Sequence, residues 1–267
     1  MLANNDDILE TYGLVKEFQG FTAVYGLNLR VRRGRIHALI GPNGAGKTTV
    51  FNLLTKFLQP TRGTITFNGT DITADSPAAV ARKGMVRSFQ ISAVFPHLSL
   101  VENVRIALQR KVGMSYQFWR PERSLAHLDA RTMELLEAVG LQAHARLQAG
   151  ELPYGRKRAL ELATTLATEP ELLLLDEPTQ GMGHEDIEQV TELIAQVAVG
   201  RTVLMVEHNM SVIERIADTI SVLQRGRVIA EGPYAEVSVH PQVLEAYMGS
   251  EDAEVAERAE LAGATHE

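Results

Sequence analysis

The nonapeptide GPNGAGKTT at residues 41–49 constrains the fold of this chain more than any other feature. It matches the pattern G-x-x-x-x-G-K-[S/T], follows the short apolar run RIHALI (35–40) and opens a helical pattern at Lys47. In such a strand–loop–helix setting, successive backbone N–H groups form a concavity that binds anions, and the helix N-terminus adds partial positive charge. The sequence therefore predicts a phosphate-binding loop in an α/β fold.

The residues of this loop divide the contacts to phosphates and a metal ion among them. Gly44 and Gly46 let the backbone wrap closely around phosphates, and Lys47 reaches the β- and γ-phosphates. Thr48 offers a hydroxyl to Mg²⁺, and Thr49 can bond the α-phosphate. The predicted binding residues of the loop are Gly41, Pro42, Asn43, Gly44, Ala45, Gly46, Lys47, Thr48 and Thr49.

The run ELLLLDE (171–177) supplies a second group on the metal side. Its four leucines predict a buried strand, and Asp176 emerges at the C-terminal end, where open α/β sheets bind ligands. Asp176 is predicted to hold Mg²⁺ through water. Glu177 follows directly and is the natural general base for an attacking water.

Two polar residues that end other predicted strands are further candidates. His208 closes TVLMVEH (202–208) and is predicted to bond the γ-phosphate and orient the water, although a lone histidine is more often structural. Gln90 ends VRSFQ (86–90), and from this pattern alone a structural role is equally compatible.

Apolar strands alternate with amphipathic helices along the chain, which predicts a mainly parallel sheet with helices on both faces. The alternation in LNLRVRRG (27–34) and the hairpin pattern GTITFNGTDI (63–72) predict an N-terminal antiparallel β subdomain. The helix after the phosphate-binding loop is predicted from Lys47 to Leu58, with Phe57 in its apolar stripe.

Composition changes divide the chain into three predicted parts. Residues 1–93 and 161–249 form the nucleotide-binding core, and residues 94–160, rich in charged helix-forming stretches, form an inserted helical subdomain. Residues 250–267 contain six acidic residues and one arginine, so we interpret them as a solvated tail whose composition favours disorder.

The overall composition excludes several functional classes. A balance of 26 basic against 33 acidic residues gives a net charge of −7, which argues against a nucleic-acid partner. The absence of cysteine excludes disulfides, thiol catalysis and Cys-ligated metal. The N-terminus lacks the features of a signal peptide, and no stretch approaches the roughly 20 apolar residues of a transmembrane helix, so any membrane role is predicted to be peripheral.

Together these motifs resemble the ATPase subunit of an ABC transporter, over about residues 8–249. The resemblance implies a P-loop NTPase (RecA-like) fold, ATP hydrolysis, and ATP and Mg²⁺ as cofactors. It implies that Gln90 is the Q-loop glutamine, which senses Mg²⁺ and the attacking water, and that His208 is the switch histidine. Phe18, in VKEFQG, matches the aromatic residue that stacks on adenine, with core packing as the alternative.

The stretch LPYGRKRALELA (152–163) takes the place of the ABC signature, usually L-S-G-G-Q, which caps the γ-phosphate of a partner subunit. The usual serine is Pro153 and the usual glutamine is Arg156, whereas Gly155 and the helix N-terminus can still present N–H groups to an anion. Gly183 and His184 also depart from the usual D-loop. We therefore expect an asymmetric pair, in which the site that depends on Pro153 is slower.

The signature variant, the phrase VEHNMSVIERIADTISVLQRGRVIAEG (206–232) and the ending PQVLEAYMG (241–249) resemble ATPases of the branched-chain amino acid uptake family. That resemblance implies a heterodimer with a second, different ABC ATPase, two membrane permeases, an indirect periplasmic solute-binding protein, and a peripheral location at the cytoplasmic face of the inner membrane. The solute would be a branched-chain amino acid or a related small polar solute.

Two alternatives stay open. A lipopolysaccharide-type exporter has a similar ending, but its ATPase generally pairs with itself, which would place Pro153 in both sites. A soluble, non-transport ABC ATPase usually has two fused cassettes or long coiled-coil inserts, which this chain lacks. For a transporter subunit, Phe95 and Leu98 in ISAVFPHLSL (91–100) are candidates for the permease contact, with packing inside the helical insert as the other interpretation.

Overall fold

The structure is a computed structural model that describes residues 6–88, 94–111 and 128–247. Its strands are β1 (Asp7–Phe18), β2 (Phe21–Arg32), β3 (Ile36–Ile40), β4 (Arg62–Phe67), β5 (Thr70–Asp71), β6 (Met85–Ser88), β7 (Leu172–Asp176), β8 (Thr202–Val206), β9 (Thr219–Gln224) and β10 (Arg227–Gly232). Its helices are α1 (Lys47–Leu54), α2 (Pro77–Arg82), α3 (Leu100–Lys111), α4 (Asp129–Ala138), α5 (Tyr154–Leu166), α6 (His184–Ala198), α7 (Met210–Ile216) and α8 (Tyr234–Val237). Residues 241–247 are also helical, and we call them the C-terminal helix.

The chain divides into two compact units. The first unit contains the chain up to Ser76 and again from Val206 onward, and the second unit runs from Pro77 to Met205. The α/β class predicted from the sequence is confirmed, with both antiparallel and parallel strand pairs.

An antiparallel sheet with the strand order β2-β1-β4-β5 lies in the first unit. Leu27, Leu29 and Val31 of β2 are buried, and the residues between them are exposed, as the alternating pattern predicted. Asn68 and Gly69 both have positive φ between β4 and β5, which is the turn that an Asn-Gly pair favours.

The first unit also contains the strand order β10-β9-β3, in which β3 runs parallel to β9. All five residues of β3 are buried, as expected for a strand covered on both faces. Its last residue, Ile40, leads directly into the GPNGAGKTT loop. β9 and β10 form the hairpin predicted around Gly226.

The second unit contains the strand order β8-β7-β6, with β6 and β7 parallel. Its buried β7 is the strand that the leucine run predicted. Helices α3, α4 and α5 pack against one another in this unit. The boundaries of the inserted subdomain at residues 94 and 160 stay a prediction.

The predicted extent of the first helix is wrong. Helix α1 ends at Leu54 rather than Leu58, because Lys56 adopts a left-handed conformation with φ 65°. Phe57 consequently leaves the apolar stripe and is 55% exposed.

A polar chain, buried at His37 and Ser221 and exposed at Glu231, crosses the three strands β3, β9 and β10. The Nε2 of His37 lies 2.8 Å from the Ser221 hydroxyl, which donates a hydrogen bond of 2.6 Å to Glu231. His37 is 2% exposed, and burial lowers its pKa to about 4. The native state therefore favours the neutral imidazole.

This burial predicts a loss of stability in acid. Because the pKa of His37 falls from 6.5 in the unfolded chain to about 4 in the native state, the unfolded state binds more protons between these values. Between pH 7 and pH 5 the free energy of unfolding should fall by about 2 kcal/mol more for the wild type than for His37→Asn. Urea unfolding at both pH values measures this difference, and parallel losses in the two proteins would contradict it.

Candidate active site

The phosphate-binding loop curls around the ammonium group of its own lysine. Lys47 is buried, and its Nζ donates hydrogen bonds of 2.6 Å to the Gly41 carbonyl and 3.0 Å to the Pro42 carbonyl. Helix α1 begins at Lys47, and Thr48 and Thr49 lie in its first turn. The Thr48 side chain is exposed and the Thr49 side chain is half-buried. The loop thus joins a cation, a helix N-terminus and two hydroxyl groups.

The backbone of neighbouring segments packs closely against the glycines of the loop. A Cβ atom at Gly41 would lie 2.0 Å from the Leu223 carbonyl oxygen, and one at Gly46 would lie 2.6 Å from the Ala23 carbonyl oxygen. The Gly226 N–H donates a 2.9 Å hydrogen bond to the Ala45 carbonyl. Side chains are therefore sterically excluded at both loop glycines.

The predicted adenine contact is accessible. Phe18 ends β1 and is 41% exposed, with Lys16 Nζ 5.0 Å from the centre of its ring. The alternative interpretation of Phe18 as a core residue is therefore disfavoured. In the same unit, the Arg227 guanidinium stacks 3.8 Å from the ring centre of Tyr25, which is also exposed.

In the second unit, Asp176 is held by a buried ion pair. The Arg87 guanidinium donates to the Asp176 carboxylate, and the two side chains are only 10% and 5% exposed. The parallel register of β6 and β7 aligns Arg87 with Leu174, which brings the guanidinium within reach of the end of β7. The guanidinium therefore balances a carboxylate that would otherwise be a lone buried charge.

Glu177 turns sharply away from the end of β7. Its φ is 47°, a left-handed conformation that costs a non-glycine residue about 1–2 kcal/mol. The Glu177 carbonyl accepts a 3.1 Å hydrogen bond from the Gln180 N–H, which closes the turn. The two neighbouring acids consequently lie in different surroundings, since Asp176 is buried and Glu177 is half-buried.

A buried carboxylate fixes the backbone around His208. Glu207 is fully buried and accepts hydrogen bonds from the N–H groups of His208 (2.9 Å) and Asn209 (3.0 Å). Asn209 in turn caps α7 by accepting from Ser211 and Val212. The His208 side chain is 59% exposed, which suits a contact with a ligand better than a structural role in the core.

The signature segment forms the start of α5, with Pro153 as its N-cap residue. A Cβ atom at Gly155 would lie 2.9 Å from an Asp186 carboxylate oxygen, so the glycine permits a close approach to α6. Arg156 Nη1 lies 3.1 Å from His144 Nε2. The side chain that replaces the usual signature glutamine therefore already has a partner within its own unit.

The other predicted site residues divide between the two units. Phe18, the 41–49 loop and His208 belong to the first unit, and Gly155, Asp176 and Glu177 belong to the second. Gln90 lies outside the described residues.

Comparison with known proteins assigns the family. The sequence profile of the ABC transporter family matches residues 24–180. The chain belongs to the ABC transporter family. A second profile, of branched-chain amino acid ATP-binding cassette transporters, matches residues 227–253. The chain is thus an ATP-hydrolysing cassette that binds nucleotide, as the motifs predicted.

Similar proteins cover almost the whole length of this ABC cassette. The high-affinity branched-chain amino acid transport ATP-binding protein BraF of Pseudomonas aeruginosa is 39% identical, over 91% of this chain and 98% of its own. LivG of Escherichia coli has the same identity and coverage, and a probable LivG of Archaeoglobus fulgidus is 33% identical over 93% of this chain and 98% of its own.

Solved structures of ABC cassettes have the same fold. The ADP conformation of MJ1267, an ATP-binding cassette of an ABC transporter, is 28% identical with a TM-score of 0.79, over 91% of this chain and 99% of that chain. A nucleotide-free ATP-binding cassette gives a TM-score of 0.77 at 28% identity, over 90% of this chain and 98% of that chain. The P-loop NTPase fold class predicted from the sequence is therefore confirmed.

The sequence did not identify Arg87 or Glu207 as residues of interest. Both lie inside motifs described above. The partner of Arg87 is set by strand register, whereas Glu207 accepts hydrogen bonds from the two residues that follow it. Within the three described ranges, no helix has the length and hydropathy to cross a bilayer. The same ranges contain no cluster of three or more histidine or acidic side chains suited to a metal ion.

The Arg87–Asp176 pair gives a stability prediction. Arg87→Met would leave the Asp176 carboxylate buried without its cation, so the free energy of unfolding should fall by about 3–5 kcal/mol. Adding Asp176→Asn removes that charge and should recover a large part of the loss. Urea unfolding without nucleotide measures both effects. The exposed Arg82→Met in the same unit is the control, and an equally small effect of Arg87→Met would contradict the prediction.

Proposed function

We propose that this chain is the ATPase subunit of an importer for branched-chain amino acids or a related small polar solute. It would act at the cytoplasmic face of the inner membrane as a peripheral subunit. The observation that carries this proposal is the 39% identity to BraF over 91% of the chain, joined with the branched-chain amino acid transporter profile at residues 227–253.

ATP binding is proposed for the first unit. The 41–49 loop would hold the phosphates through its N–H groups and Lys47, which would exchange the carbonyls of Gly41 and Pro42 for phosphate oxygens. Phe18, already exposed at the end of β1, would stack on adenine.

The residues present fit a magnesium ion, which binds oxygen donors. The donors would be the exposed Thr48 hydroxyl, the Asp176 carboxylate and the Gln90 side chain. The carboxylate of Asp176 already accepts a cationic partner, Arg87. When bound, the ion would neutralise charge on the β- and γ-phosphates.

Hydrolysis is proposed to use Glu177 as general base and His208 as the γ-phosphate contact. Glu177 would take a proton from the attacking water, and unlike the buried, ion-paired Asp176 it is half-buried. The exposed imidazole of His208 would hold the γ-phosphate, with its backbone fixed by Glu207. Gln90 would report the state of the site to the membrane subunits.

A second, different ABC ATPase is proposed as the direct partner, together with two permeases and, indirectly, a periplasmic solute-binding protein. Pro153 has no N–H and no hydroxyl, so α5 would offer the partner's ATP only backbone groups near Gly155. Losing a hydroxyl bond to a charged phosphate would weaken that contact by about 1.5–3 kcal/mol. This supports a slower site where this signature is used.

The proposed permease contact is at Phe95. Its ring is 52% exposed, whereas its backbone is fixed because Phe95 N–H donates a 2.7 Å hydrogen bond to the buried Asn103 side chain. Asn103 also donates to the carbonyls of Phe95 and Ser99. Leu98 beside them is half-buried. A rigid loop with an exposed aromatic ring suits the docking of an apolar helix.

Co-purification tests the proposed assembly. We expect the tagged chain, gently extracted from its native membranes, to bring along two multispanning permeases and one different ATPase. Phe95→Asp should reduce permease recovery, whereas Phe57→Asp, which also alters an exposed phenylalanine, should leave it unchanged. If the tagged chain is recovered with permeases and a second copy of itself, the exporter is favoured. If it is recovered without permeases, the transport assignment is overturned.

Glu177→Gln tests the base and the asymmetry together. In the complete complex it should abolish turnover at this subunit's own site, because the amide cannot accept the proton, while ATP stays bound. The matched control inactivates the partner's equivalent glutamate. We expect the second complex to retain more turnover, because the site that it loses is the one that uses Pro153 and is proposed to be slower. Equal residual rates would refute the asymmetry, and fast hydrolysis by Glu177→Gln would place the base elsewhere.

A further inference from the structure

Asn103, on the first turn of α3, bonds the backbone of the loop that carries the proposed permease contact. We call residues 95–99 the docking loop. The Asn103 side-chain oxygen accepts a 2.7 Å hydrogen bond from the Phe95 N–H. Its nitrogen donates to the carbonyls of Phe95 (3.1 Å), Leu98 (3.3 Å) and Ser99 (2.9 Å). The side chain is only 3% exposed, so these bonds are shielded from competing water. One buried amide therefore satisfies backbone groups at both ends of the docking loop.

Backbone hydrogen bonds join the docking loop to residues 144–150, which we call the bridge segment. The Gly150 N–H donates a 2.8 Å hydrogen bond to the Pro96 carbonyl. The Ala149 N–H donates a 2.9 Å hydrogen bond to the Leu98 carbonyl. A Cβ atom at Gly150 would lie only 3.0 Å from the Pro96 carbonyl oxygen, so the glycine permits this close contact of backbones.

The bridge segment is attached to the signature helix α5 at both of its ends. Gly150 is followed after two residues by Pro153, the N-cap residue of α5. At the other end, His144 Nε2 lies 3.1 Å from Nη1 of Arg156, which belongs to the first turn of α5. The segment bonded to the docking loop is therefore also the segment that leads into the signature.

We propose that Asn103 is a positioning residue for both the permease contact and the signature. The Leu98 carbonyl connects the two, because it accepts hydrogen bonds from the Asn103 side chain and from the Ala149 N–H. The inference rests on the proposed permease contact at Phe95 and on the proposed use of this signature at the partner's ATP. A permease that displaces the docking loop would thus shift the start of α5. By linkage, closure of the signature on that ATP would change the affinity for the permease.

Hydrogen exchange in the full-length, nucleotide-free chain tests this connection. Asn103→Leu keeps a similar shape and removes every hydrogen bond of the side-chain amide. We expect exchange at the Phe95 amide, which bonds to Asn103 directly, to become about 3- to 10-fold faster, the effect of one lost hydrogen bond. The amides of Ala149 and Gly150, which do not bond to Asn103, should also exchange faster by about this factor. Unchanged exchange at these two amides would overturn the proposal.

The matched control is Thr132→Val, which removes another buried hydrogen bond in the same unit. It should leave exchange at the docking loop and the bridge segment unchanged, which separates the role of Asn103 from a general loss of stability.

Gly150→Ala tests the same connection from the opposite end, and it does so even if Asn103→Leu fails to fold. Gly150 is exposed and does not adopt a positive φ, so the alanine variant should fold. Its Cβ atom would push the Pro96 carbonyl away from the bridge segment. Exchange at the Phe95 amide should become faster, although that amide bonds to Asn103 and not to the bridge segment. An unchanged rate at Phe95 would contradict the proposal.

Turnover of the complete complex separates this proposal from the proposed function. Asn103→Leu should lower kcat by about the factor seen in exchange and leave the KM for ATP nearly unchanged, because Asn103 is not among the proposed nucleotide contacts. Thr132→Val should keep the kcat of the wild type. If no permease co-purifies with the wild type, the proposed function fails and the exchange rates still test the connection. A wild-type kcat for Asn103→Leu in a complex that contains permeases would overturn the proposal.

Discussion

The close contact between the phosphate-binding loop and its neighbouring backbone is the constraint on which the first unit depends. Carbonyl groups of Ala23 and Leu223 occupy the space that side chains at Gly46 and Gly41 would need. The conformation of the loop therefore depends on the packing of the strand before it, the hairpin around Gly226 and the start of α1. A cluster of N–H groups suited to phosphate is a product of that packing as much as of the local motif.

The buried charged side chains of the two units are stabilised by different kinds of partner. In the first, Lys47 is buried among the carbonyl groups of its own loop, so its positive charge is stabilised by dipoles that a phosphate would replace. In the second, Asp176 is neutralised by Arg87. Both charged groups proposed to act on the nucleotide or its metal are thus satisfied within the chain. Exchange of partners, rather than desolvation of free charges, would accompany binding.

Local patterns were enough to predict much of the fold. The alternation in β2, the leucine run of β7 and the Asn68-Gly69 turn depend on neighbours in sequence, and each was read correctly. The end of α1 was missed because Lys56 takes a left-handed conformation without the usual glycine signal. Arg87 was missed because its contact with Asp176 depends on strand pairing between distant segments of the chain. The roles of the site residues stay predictions, and Gln90 lies outside the described chain.

Because of the left-handed conformation of Glu177, selection for thermal stability and selection for activity should favour different residues at this position. Glycine at this position would adopt the same φ without steric cost. Its free energy of unfolding would therefore be higher by the strain that the glutamate carries. It would also delete the carboxylate that we propose as the base. A library of variants enriched only for heat resistance should therefore drift towards glycine at position 177, whereas a library enriched for growth on the transported solute should keep the acid. The residue found at position 177 would then show whether a library had been selected for heat resistance or for transport.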